Sequence, residues 1–237
     1  MIALPYTSGL THDSMPAARV QLLTFGEAKL LLVVLAFGTA GMVLLGTAAP
    51  TFLWWNLLLA WVPLGIQRAL VALAPRYGLG LAGRFTHVLT WCAWLLFLPN
   101  APYLVTDYVH PLSMLARGES ALVLSSFAYV TCGMLLGLGW YYRSLAYGLE
   151  GLARYRFWRK LHRHLRYALT LAVATGVWLG RSLRFNTWDV LTRPVDLVNS
   201  SYAYLTDVAH VELIVATAVL LELGYRGWSW WTGRVLV

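Results

Sequence analysis

Ser120-Ala121-Leu122-Val123-Leu124-Ser125-Ser126-Phe127-Ala128-Tyr129-Val130-Thr131-Cys132-Gly133-Met134-Leu135-Leu136-Gly137-Leu138-Gly139-Trp140-Tyr141 contains no charged side chain. A helix rises about 1.5 Å per residue, so roughly 20 apolar residues cover the hydrocarbon thickness of a bilayer. The stretch is long enough for that and shows no strand alternation. Read outward from it, five more blocks of the same kind follow: 30–48, 52–72, 85–102, 167–183 and 209–226. With 120–141 they make six predicted spans. The expected fold class is all-α, a polytopic membrane helix bundle.

Composition agrees with that reading. Of the 237 residues 59% are apolar and 12% charged, against about 25% charged in ordinary soluble domains. Mean hydropathy is +0.62. These values exclude a soluble enzyme, a disordered tail and a secreted disulfide scaffold. Cys92 and Cys132 both fall in apolar blocks and read as buried thiols acting as small hydrophobes. The polar leader 1–28 lacks a basic region running straight into an apolar stretch and a small-residue cleavage site, so it is expected to be retained. The remaining parts are a transmembrane domain over 29–227 and a tail over 228–237.

Eighteen basic residues stand against ten acidic ones. No basic stretch is interleaved with base-stacking aromatics away from the spans, so nucleic acid is not the expected partner. Sorted by side, Arg117, Arg181, Arg184 and Arg193 fall on one surface and the other fourteen on the opposite one. Basic residues collect on the cytoplasmic side of spanning helices, which puts both termini inside. In the inner loop from Arg143 to Arg166, Leu145, Leu149, Leu152, Trp158, Leu161 and Leu165 recur at helical spacing between basic residues. This predicts an amphipathic helix on the inner leaflet, with Arg166 snorkelling at the membrane edge. Trp228, Trp230 and Trp231 read as an interfacial aromatic belt. Ala49-Pro50-Thr51 is short enough to make the first two spans an antiparallel hairpin. Glu222 is expected to pair with Arg68 at the inner surface.

With the spans oriented, the chemistry-bearing residues gather at the outer surface. In Phe97-Leu98-Pro99-Asn100-Ala101-Pro102-Tyr103-Leu104-Val105-Thr106-Asp107-Tyr108-Val109-His110, two prolines are expected to break the third span, Pro102 sitting in the first turn of a new helix. Beyond the break, Asn100, Tyr103, Asp107 and His110 share one helical face. In Leu179-Gly180-Arg181-Ser182-Leu183-Arg184-Phe185-Asn186-Thr187-Trp188-Asp189, Arg181, Arg184 and Trp188 share a face, and Asn186 and Asp189 lie one turn apart. Asn56 and the trio Asp207, His210 and Glu212 reach the same side, while the middle of the bundle is nearly uncharged. Ionisable groups inside a membrane are costly, and such a convergence is read first as a functional site. Two arginines on one face form a clamp for phosphate or carboxylate. Asp107 and His110 are the candidate catalytic groups, as base or proton carrier. Asn56, Asn100, Tyr103, Arg181, Arg184, Asn186 and Asp189 are the candidate substrate-binding residues. The purely structural alternative has Asp107 or Glu212 neutralising Arg181 or Arg184. A zinc site from His110, His210, Asp107 and Glu212 lacks any close-spaced ligand pair, so neither a metal nor another cofactor is expected.

At these blocks the chain resembles a family of bacterial integral-membrane proteins known as domain of unknown function 1361. The resemblance rests on Leu98-Pro99-Asn100-Ala101-Pro102-Tyr103 with Thr106-Asp107, and on Gly180-Arg181 with Arg184, Asn186, Trp188 and Asp189. Asn56-Leu57-Leu58-Leu59-Ala60-Trp61-Val62-Pro63-Leu64 is a third shared block. Ser182 and Phe185 stand where the family carries an aromatic residue and Trp. The resemblance implies a multi-pass protein of the bacterial inner membrane and brings no activity with it. Three functions fit the residues: an enzyme acting on a phosphorylated or lipid-linked anionic substrate at the outer leaflet, a non-catalytic scaffold or assembly factor, and a small-solute transporter. The expected partners are membrane lipids and such an anionic substrate. Protein partners cannot be read from the chain. Transport is disfavoured because the inner half offers no matching polar path.

Overall fold

The computed structural model describes residues 29–34, 36, 40, 51–73, 81–118, 120–153 and 156–233. The leader 1–28, most of the predicted 30–48 span and the Ala49-Pro50 turn lie outside the described residues. Among the described residues there is no strand. The elements are α1 (Thr51–Leu73), α2 (Leu81–Phe97), α3 (Asn100–Tyr103), a 3₁₀ helix (Leu104–Tyr108), α4 (Val109–Ala116), α5 (Ser120–Ala153), α6 (Arg156–Leu183), α7 (Asp189–Thr192), α8 (Pro194–Leu205) and α9 (Val208–Thr232). Among the described residues three helical runs are long and apolar enough to cross a membrane: Phe85–Ala116, Val123–Leu152 and Val208–Thr232.

The first of these runs contains the proline block, and the predicted break is milder than a change of direction. Pro99 and Pro102 have no N–H to give. Ala101 N therefore donates to Leu98 O at 3.3 Å and Tyr103 N to Pro99 O at 3.1 Å. Backbone angles at Pro99, Tyr103, Leu104, Tyr108 and Val109 all stay right-handed helical. The chain tightens into 3₁₀ winding and carries on outward.

The long helix α5 is the axis of the packing, and glycines let its neighbours approach. A β-carbon at Gly133 would stand 3.0 Å from Leu53 of α1, and one at Gly137 would overlap the Ala101 carbonyl and Leu104. Gly133 and Gly137 are four residues apart, the spacing that brings membrane helices into close contact. The core around them holds Leu53, Leu57, Leu64, Trp94, Leu98, Leu104, Leu136 and Tyr141. Trp94 donates its indole N–H to Ser144 Oγ at 2.8 Å, satisfying both groups away from water. On the other side α6 packs along α9, tied by Trp178 Nε1–H donating to Thr217 Oγ1 at 2.8 Å.

The half of the bundle away from the proline block departs from the sequence reading in several ways. Leu145 and Leu149 are fully buried in the continuation of α5, and therefore do not lie on a leaflet surface. Arg166 does not snorkel: it is 5% exposed and donates to Glu222 Oε1 at 2.9 Å. Glu222 also accepts from Arg226 Nε at 2.9 Å, so its ion pairs are with Arg166 and Arg226, in place of the expected Arg68. Burial of Arg166 is matched by a carboxylate 56 residues away in sequence. Cys92 is exposed, against the expectation of a buried thiol, while Cys132 is partly covered. The predicted tail begins as helix, since α9 runs through Trp228, Trp230 and Trp231 to a left-handed Gly233.

Candidate functional site

The ends of α1, α2, α4 and α6 and the segments joining them enclose a cavity of about 770 Å³. Its wall includes Asn56, Asn100, Tyr103, His110, Arg181, Arg184 and Asn186. Residues from three distant stretches of sequence therefore meet in one space.

Each wall is placed by local chemistry. Asn100 stands at the proline break and uses it: its amide donates to Phe97 O at 3.0 Å and to Thr187 Oγ1 at 2.9 Å. The first bond satisfies a carbonyl left over by the interrupted helix, and the second ties the break to the loop after α6. On α6, a β-carbon at Gly176 would come within 2.6 Å of Pro99 Cγ, and one at Gly180 within 3.6 Å of the Tyr103 ring. These two glycines, four residues apart, bring α6 against the break. The sequence reading missed Gly176, although Gly176-Val177-Trp178-Leu179-Gly180 carries the small-residue spacing that signals close helix contact. It also missed Trp55 and Thr187, which line the cavity beside Asn56 and Asn186.

Beyond Leu183 the chain turns through Arg184, the one non-glycine residue with positive φ among the described residues, at 57°. Left-handed backbone ends many helices, and glycine is the usual occupant because other residues pay for it. Here an arginine occupies the position and its side chain lines the cavity. Asp189 then fastens the loop from behind. It accepts from Asn186 N at 2.7 Å and Thr192 Oγ1 at 3.1 Å, and pairs with Arg193 at 3.2 Å. The Asn186 amide first, and then the Arg193 guanidinium, hold its carboxyl below its ordinary pKa. Asp189 is buried and is not part of the cavity wall.

Asp107 also leaves the expected face. It is 1% exposed and takes both its hydrogen bonds from Asn56 Nδ2, at 3.0 and 3.3 Å. The cause is the 3₁₀ segment, which winds about 20° more per residue than an α-helix and turns Asp107 away from Tyr103. His110, two residues beyond that segment, returns to the cavity. Near the start of α9 and outside the wall, His210 stacks on Tyr204 at 3.8 Å and stands 3.6 Å from Asp207, while Glu212 is exposed. No cluster of three or more His, Cys, Asp or Glu comes together among the described residues.

The arginines decide the electrostatics. Among the described residues neither Arg181 nor Arg184 forms an ion pair or a side-chain hydrogen bond. Arg181 is within electrostatic reach of Asp107 and of His110, but Asp107 spends its hydrogen bonds on Asn56. Two guanidinium groups thus line an open cavity with no carboxylate within ion-pair distance among the described residues, an arrangement suited to phosphate or carboxylate.

Long apolar helices and a polar cavity toward one end of the bundle mark this as a helical membrane protein. Residues 55–223 match the family described as Protein of unknown function (DUF1361), and the chain belongs to that family. No curated protein and no solved structure matches it.

Proposed function

We propose that this is a six-span protein of the bacterial inner membrane, with both termini inside, whose outward-facing cavity binds an anionic, phosphorylated or lipid-linked substrate at the outer leaflet. The observation that carries the reading is the pair Arg181 and Arg184 on the cavity wall, with no ion pair among the described residues. The split of basic residues supports the orientation. A phosphate group between the two arginines would receive charge-assisted hydrogen bonds from both guanidinium groups. Asn186 stands on the same wall to orient the group and Tyr103 to add a hydroxyl, while Asn100, its amide donors held by Phe97 O and Thr187 Oγ1, fixes the wall behind them. His110 is the wall residue whose ring can carry a proton, and Asp107, held by Asn56, supports that corner from behind.

The test is native mass spectrometry of the protein extracted with its own lipids, beside an Arg181→Ala/Arg184→Ala variant. A phosphorylated ligand held by the wild type and lost from the folded variant is the expected result. The same unspecific lipid on both would reduce the arginines to structural residues and defeat the proposal.

A further inference from the structure

The cavity has two chemically different ends. Along α6 it runs from Ala172 and Val173 to Arg181, which is about 12 Å from Val173 at the rise of a helix. Facing the lower end stand Leu59, Leu95 and Leu96, with no polar side chain beside them from α2. Leu95 and Leu96 line the cavity and are 42% and 41% exposed. Ala172, on the opposite wall, is exposed as well. Both leucines belong to a run long and apolar enough to cross a membrane. An opening between α2 and α6 at their depth would lead sideways into hydrocarbon and not to water.

The basic end is bounded differently. Helix α8 is 12 residues long, too short to span, and connects the α6–α7 side to α9. Val195, Val198, Tyr202 and Leu205 form one exposed stripe along it, while Leu197 lines the cavity and Tyr204 is buried. A short helix with an exposed apolar stripe beside exposed polar residues such as Asp196 and Asn199 is suited to lying in the plane of a membrane interface. In that position the leaflet boundary would fall close to Arg181 and Arg184.

We infer that the ligand is an anionic amphiphile of the membrane itself, which enters laterally between α2 and α6, rests its head group on Arg181 and Arg184, and leaves its acyl chain along Leu95, Leu96 and Ala172. This rests on the anion-site reading and adds where the rest of the molecule lies. A chain already in hydrocarbon gains little by moving against an apolar wall. The arginines therefore select the head group, and the gap lets the chain remain in the leaflet while they do so. A small water-soluble anion would fill the basic end alone.

The experiment uses the full-length protein in mixed micelles, with phosphatidic acid carrying a photoactivatable diazirine on its acyl chain. Labelled peptides are mapped for the wild type and for Arg181→Ala/Arg184→Ala. A phosphatidylcholine analogue controls for charge, and glycerol 3-phosphate serves as soluble competitor. The expected label falls on the segments holding Leu95, Leu96 and Ala172. It drops about tenfold in the double variant and with the zwitterionic lipid, and excess glycerol 3-phosphate, which contests the same two arginines, lowers it. Label spread evenly over the outer faces of α5 and α9, and equal in both proteins, would overturn the amphiphile. If glycerol 3-phosphate then still raised the melting temperature of the wild type and not of the variant, the anion site would stand and only the lateral ligand would fall. If neither probe distinguished the two proteins, both readings would fall together.

Discussion

Arg166 and Arg181 lie on the same helix, about 22 Å apart along its axis, and the protein treats them in opposite ways. Arg166 is buried against Glu222, which Arg226 holds from the other side. Arg181, with Arg184 beyond it, faces a cavity and has no carboxylate within ion-pair distance among the described residues. A buried arginine that is paired contributes to holding α6 on α9. An arginine on a cavity wall without such a pair leaves its charge for something else. The difference teaches that charge in a membrane helix is not one signal: the partner tells which kind it is.

Breaking the paired end should have the largest effect. Glu222→Leu strands the Arg166 guanidinium in the bundle, and loss of one member of a buried pair costs about 3–5 kcal/mol. Thermal unfolding in detergent should show that loss, whereas Arg181→Ala should change stability far less. Next comes the approach of α6 to the proline break. Gly176→Ala puts a methyl group 2.6 Å from Pro99 Cγ, an overlap that should cost about 1–3 kcal/mol and weaken ligand retention as the wall moves. Unchanged stability would show that the two segments separate freely.

Arg184→Gly sharpens the comparison from the other end. Glycine accepts the left-handed backbone that arginine occupies at 57°, so the variant should gain about 1 kcal/mol while holding the ligand less well. A gain in stability with a loss of binding is the mark of a residue kept for function. The smallest effect belongs to Asp189. Its pKa is lowered on folding, so its stabilisation of the loop is present above the unfolded pKa and fades as pH falls through the folded one. Hydrogen exchange of residues 186–193 should therefore be slower in the wild type than in Asp189→Asn at neutral pH. The gap should close in acid, and a pH-independent gap would contradict the assignment.

Much of this was legible in the sequence. The apolar blocks mark the helices α1, α5 and α9, and the spacing of Asn100, Tyr103 and His110 puts them on one wall. Asp107 was misplaced because the face was drawn with uniform α-helical winding, and two prolines tighten the segment that carries it. Leu145 and Leu149 read as a leaflet surface because helical periodicity identifies an apolar face without saying whether lipid or protein covers it. Arg166 read as an edge residue for a similar reason, since its partner Glu222 lies 56 residues away. The glycine pairs were visible as spacing, but only the close approach of Pro99 and Ala101 shows what they admit.

The most direct measurement takes ligand retention and thermal unfolding on the same samples of wild type, Arg181→Ala/Arg184→Ala and Glu222→Leu. The account predicts that the double arginine variant unfolds close to the wild-type temperature yet loses its anionic ligand. It predicts that Glu222→Leu unfolds much earlier but keeps the ligand while folded. A double variant that retains the ligand, or that loses it only by unfolding, would contradict the claim that these two arginines exist to bind.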